Sequence, residues 1–204
     1  MRVGDVLLRY TGALPLLAIG TLLSTVVHAE VGVWARGGPV GGWVSALAID
    51  PKTPSTLYAG TSSGGVFRST DSGATWAVAS AGLTSLMVSA LAIDPATPST
   101  LNAGTISAGV FKSTDSAATW VARNSGLTDN YIQAMAISPA DPSTLYAGTN
   151  RTGVFRSTDA GTTWVAANVG LTPPDVRAVA INPKTPSTLY AAGGCDWCAS
   201  GAGP

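Results

Sequence analysis

From Ser45 onward the chain repeats itself every 44 residues, and no other feature limits its fold as strongly. Asp50-Pro51 returns as Asp94-Pro95, Ser138-Pro139 and Asn182-Pro183. The tetrapeptide P-S-T-L returns from Pro54, Pro98, Pro142 and Pro186, and V-F-[RK]-S-T-D starts at Val66, Val110 and Val154. Residues 45–88 are identical to 89–132 at 29 of 44 positions and to 133–176 at 27 of 44. Copies this similar share one structural unit, and each unit meets the next in the same way.

Each unit holds four apolar runs, in the first copy S-A-L-A-I (45–49), T-L-Y-A-G-T (56–61), G-V-F-R-S-T (65–70) and T-W-A-V-A (75–79). All are of strand length, turn formers separate them, and no window offers the ten or more helically periodic residues of a stable helix. In the first run Ala46 and Ala48 point one way and Leu47 and Ile49 the other, so this strand is expected to be covered on both faces. A four-stranded sheet of about 44 residues packed between copies of itself is a β-propeller blade. The expectation is therefore an all-β chain of four-stranded antiparallel blades at 45–88, 89–132 and 133–176. Residues 177–192 supply the first two strands of a further, incomplete blade, and 193–204 an irregular tail.

Composition narrows the function. Only 11% of the 204 residues are charged, against roughly a quarter in an ordinary soluble chain. Eleven Lys and Arg balance eleven Asp and Glu without a run of either sign, so neither nucleic acid nor an acidic membrane surface is an expected partner. Arg2 and Arg9 precede an uncharged stretch at 10–27, and Val27-His28-Ala29 matches a signal-peptidase site ahead of Glu30. Residues 1–29 read as an export signal, or as a membrane anchor if uncleaved. Residues 30–44 then form a lead-in containing a lone fourth strand, Val33-Trp34-Ala35-Arg36. His28, the only histidine, leaves with the leader, and neither a metal nor a cofactor is expected.

The segment Ser69-Thr70-Asp71-Ser72-Gly73-Ala74-Thr75-Trp76, repeated as 157–164, resembles the S-x-D-x-G-x-x-W Asp-box, or BNR repeat. Proteins with this box include sialidases, sortilin-type receptors, family 74 xyloglucanases, a photosystem II assembly factor and exported bacterial proteins. The resemblance implies a propeller and leaves the activity open. In each box the Asp (Asp71, Asp115, Asp159) is expected to accept turn N–H groups beside Ser69, Ser113 and Ser157. Gly73 and Gly161 would supply a left-handed backbone, and Trp76, Trp120 and Trp164 an anchor. A carboxylate that recurs in every blade reads as structural. The second copy departs twice, with Ala117 at the glycine and Asn102 at the position of Tyr58, Tyr146 and Tyr190, so its blade is expected to be the weakest. Arg68, Lys112 and Arg156 read as a solvated blade edge.

Register is lost after Ala192. The expected explanations are a small four-bladed ring, chains that combine through open blade edges, or, favoured here, a piece of a longer protein. Cys195-x-x-Cys198 suits an incidental tail or a local disulfide; a redox pair would need a helix N-terminus, and a zinc site two further ligands.

Strands alternate in direction, so the loops after strands two and four share one face and the boxes lie on the other. The first of these faces varies from copy to copy. Trp43, Met87, Tyr131 and Asp175 share one position, Ser45, Ser89, Gln133 and Arg177 another, and Ser62-Ser63, Ile106-Ser107 and Asn150-Arg151 fill the second loop. Trp43 and Tyr131 suit stacking on sugar rings or gripping a peptide, and Arg151 and Arg177 suit pairing with a carboxylate. The expected function is a non-catalytic exported binding or scaffold module for a protein or a glycan. A glycoside hydrolase fragment and an assembly factor are the alternatives. The enzyme reading would need paired acids in a cleft, and Asp129, Asp141 and Asp175 are the non-repeat candidates.

Overall fold

The computed structural model describes residues 38–172 and 174–194. The leader, the 33–36 segment, Cys195 and Cys198 lie outside these residues. Fourteen strands are described, with no helix among them. The first sheet is β1 (Val44–Ile49), β2 (Leu57–Thr61), β3 (Val66–Ser69) and β4 (Ala77–Val78). The second is β5 (Val88–Ile93), β6 (Leu101–Thr105), β7 (Gly109–Ser113) and β8 (Val121–Ala122). The third is β9 (Ile132–Ile137), β10 (Leu145–Thr149), β11 (Val154–Ser157) and β12 (Val165–Ala166), and a hairpin of β13 (Ala178–Ile181) and β14 (Leu189–Ala192) follows. Each sheet is an antiparallel meander in chain order. The short outer strands pair through two residues each.

The sheets stack through their faces, β1 on β5, β5 on β9 and β9 on β13. Register explains the choice of face. Leu91 pairs with Ala103 and Ile93 with Leu101, so these four share the face turned to the first blade, where Tyr58 and Val66 complete a buried cluster with Phe111 and Trp120. The other face carries Ala90, Ala92 and Gly104, and there a close approach demands a missing side chain. A Cβ on Gly104 would come within 2.5 Å of Ile132 Cγ2, and those on Gly60 and Gly148 within 2.6 and 2.7 Å of a methyl of Val88 and Val176. Each blade thus seats one branched side chain of the next on a glycine, and burying such a side chain contributes about 1.5–3 kcal/mol.

The box tryptophans also act between blades. Trp120 and Trp164 are buried, and their indole N–H groups donate across the interface to the carbonyls of Ala79 and Arg123, at 2.8 and 2.9 Å. Gly73 is left-handed as expected, with φ 88°, and the preceding residue is left-handed as well. Ser72 has φ 62°, Ser116 60° and Ala160 57°, next to Gly73, Ala117 (67°) and Gly161. Two such residues in succession let the turn fold back onto its Asp.

Two expectations are corrected. The first strand is covered on both faces in β5 and β9, but in β1 Leu47 is 57% and Ile49 53% exposed, because no sheet among the described residues lies on that side. The recurring basic residues are more than a solvated edge. The Arg68 and Arg156 guanidinium groups lie 5.9 and 6.0 Å from the ring centres of Tyr58 and Tyr146, their cross-strand partners. In the second blade, where Asn102 replaces the ring, Lys112 instead donates its Nζ to Ala160 O at 2.8 Å, and burial lowers its ammonium pKa. Ring and guanidinium have changed together.

Candidate functional site: the variable loop face

The loops that precede the first strands and those that follow the second strands meet on one face, tied by a recurring bond. Ser62 N–H donates to Trp43 O at 2.9 Å, Ile106 N–H to Met87 O at 3.0 Å, and Asn150 N–H to Tyr131 O at 3.1 Å. That bond fixes where residue 43 and its counterparts leave the backbone, so the same position projects from three successive blades. Trp43 is 85% exposed, Met87 40% and Tyr131 37%, and Leu86 stands exposed beside Met87. The outcome is an apolar row running across the face.

A second tie sets the loop shapes, and its chemistry changes from blade to blade. Ser63 Oγ donates to Gly41 O at 2.9 Å, and Ser107 Oγ bonds Ser85 Oγ at 3.0 Å. Asp129 accepts from the Tyr131 and Arg151 N–H groups at 2.9 and 3.0 Å. Sequence reading took Asp129 as a possible acid and missed this clamp. The 44-residue spacing of Gly41, Ser85 and Asp129, matched by Ser63, Ser107 and Arg151, is the signal that reveals it.

At the third blade the face becomes polar. Gln133 Nε2 donates to Asn150 Oδ1 at 2.7 Å and to Asp175 Oδ1 at 2.6 Å, and Asp175 Oδ2 pairs with Arg177 Nε at 3.0 Å. Asp175 and Arg177 are thus brought together, Tyr131 and Arg151 are joined through Asp129, and Trp43 stands on the first blade with Met87 between. A cavity of about 220 Å³ lies beside Asp175, lined by Leu171, Val176 and Ala191 among others. A larger one of about 530 Å³ lies on the outer rim between β4 and the Ser116–Ala118 turn, away from this row.

The remaining described carboxylates lie on the opposite face and are occupied in turns. Thr75 donates its hydroxyl to Asp71 Oδ2 at 2.6 Å and its N–H to Oδ1 at 2.8 Å, and Ser69 donates to Oδ1 at 2.7 Å. Thr119 and Thr163 do the same for Asp115 and Asp159. The threonine hydroxyl bond is the largest cause that lowers each of these three pKa values from 3.8 to about 2. Asp141 is lowered by the hydroxyls of Ser143 and Thr144 in its own turn.

No protein-family model and no curated protein matches the chain. Solved structures do. An ancestral GH74 enzyme superposes with TM-score 0.62 at 22% identity, covering 76% of this chain and 22% of that one. The GH74 enzyme of Niastella koreensis gives 0.58 at 30% identity, covering 74% and 26%. The WD40 repeats of RRP9 give 0.55 at 17% identity, covering 71% and 43%. WD40 repeats are propeller blades. This chain is built of β-propeller blades. It spans about a quarter of the length of the GH74 structures.

Proposed function

We propose that this chain is an exported, non-catalytic propeller module of the Asp-box type whose variable face binds a glycan chain. The observation that carries the reading is the exposed row Trp43, Met87 and Tyr131, held by one repeated backbone bond in three successive blades. An apolar row with polar groups at one end suits a ligand whose repeating rings stack while its hydroxyls reach Gln133, Asn150 and Arg177. Likeness to GH74 propellers supports a sugar over a peptide. Asp129 and Asp175 are the described carboxylates on this face, and both are engaged by neighbouring donors. That favours binding over acid–base chemistry.

Calorimetric titration with xyloglucan oligosaccharides tests the proposal. The double change Trp43→Ala with Tyr131→Ala is expected to weaken binding about tenfold per ring, roughly 1.4 kcal/mol each. Unchanged affinity refutes the face assignment. A second reading, a fragment of a GH74-like hydrolase, is favoured by the 30% identity to the Niastella koreensis enzyme. Release of reducing sugar that Asp175→Asn abolishes would establish it instead.

A further inference from the structure

The two ends of the blade stack expose opposite halves of an interface that the chain itself uses three times. Within the stack, the Val/Leu/Ile face of one blade packs on the Ala/Ala/Tyr face of the blade before it, as Val88, Leu91 and Ile93 do beside Tyr58. At the first blade the equivalent leading face, Val44, Leu47 and Ile49, is about half exposed at each residue. At the last hairpin the equivalent trailing face, Ala178, Ala180 and Tyr190, is exposed too, with Tyr190 at 62% where Tyr58 is at 1%.

We propose that a second copy of this chain packs on it head to tail, the Leu47/Ile49 face of each against the Ala178/Ala180/Tyr190 face of the other. Pairing unlike faces gives a closed ring or an open polymer, depending on the rotation. Two copies of the described stack, three four-stranded sheets and a hairpin in each, stay within the range of blade numbers that propellers close with, and a closed pair is the arrangement proposed. One residue weakens the match. Ala192 stands where Gly60, Gly104 and Gly148 receive the branched side chain of the next blade, and its methyl group would crowd Val44 of the incoming copy.

Light scattering after size exclusion of the full chain tests this, and it does not depend on the ligand. The expected result is a discrete species of twice the chain mass. Leu47→Asp with Ile49→Asp, at residues exposed in the single chain, should reduce it to the mass of one chain with an unaltered circular-dichroism spectrum at low temperature and a melting temperature that no longer depends on protein concentration. Ala180→Asp should do the same. Mixing these two variants should restore pairs, because each retains the face the other lacks. Ala192→Gly should tighten the association about tenfold by removing the crowding. A monomer at every concentration, an open-ended polymer, or a dimer indifferent to Ala180→Asp overturns the proposal.

Discussion

Gly104→Ala isolates the contact that sets one blade against the next. Gly104 lies in β6 with no positive φ, so a β-carbon there strains nothing in the backbone. All of the cost falls on packing: the new methyl would meet Ile132 Cγ2 at 2.5 Å, Ile132 Cβ at 3.0 Å and Met135 Sδ at 3.4 Å. Ile132 is fully buried and branched at Cβ, the atom that carries the clashing methyl, so it has no free rotamer to retreat into. Overpacking of this kind costs about 1–3 kcal/mol. At roughly 2–4 °C per kcal/mol for a chain of this size, the melting temperature should fall by several degrees. Ile132→Ala alone opens a cavity and costs about 2–5 kcal/mol. Combined with Gly104→Ala it should cost less than the sum, because each change relieves the other. Gly38→Ala, whose Cβ would meet nothing within 4 Å, is the control. Chemical denaturation of the four variants decides the matter. A neutral Gly104→Ala, or additive costs in the double variant, would refute the proposed interface.

The second blade is expected to gain from Asn102→Tyr, which removes a buried, unpartnered Oδ1 and places a ring beside Lys112 as in the other blades; a rise of about 1–2 kcal/mol in unfolding free energy is the result to look for. Ala117→Gly should raise the melting temperature slightly, since relief of a left-handed alanine, about 1–2 kcal/mol, outweighs the roughly 0.8 kcal/mol of a buried methyl. A fall would show that the packing of that methyl beside Tyr58 and Trp120 dominates. For pH, Asp71, Asp115 and Asp159 have folded pKa values of about 2, below 3.8, so the stability they contribute is complete above about pH 4 and is lost as pH falls towards 2. Melting curves should be flat in this respect from neutral pH to about 4 and drop below it, and the drop should shrink in Asp71→Asn with Asp115→Asn.

The blade was legible because its signals are local. Alternation in S-A-L-A-I, turn residues at fixed offsets and a strict period specify four short strands and the order in which they pair. The partition into two faces followed from strand direction alone, and the structure puts Trp43, Met87 and Tyr131 together on one of them. What the sequence hid are the relations between blades. Glycine in L-Y-A-G reads as a neutral strand residue until Ile132 is seen beside it, and the indole of Trp120 reads as an anchor of its own hairpin until Ala79 is found accepting from it. The contacts of Arg68, Lys112 and Arg156 with Tyr58, Ala160 and Tyr146 stay hidden because they depend on sheet register and blade contact, although Arg156 does remain exposed. Asp129 read as an acid because its role as a clamp needs two loops brought together.

The binding row is tested most directly by its methionine. The chain has three methionines; Met87 lies exposed in the row and Met135 is packed at the interface between the second and third blades. With methyl-labelled methionine, addition of a xyloglucan oligosaccharide should shift the Met87 signal in NMR spectra and leave that of Met135 in place. A Met87 signal that stays fixed while the sugar binds would contradict the assignment of this face.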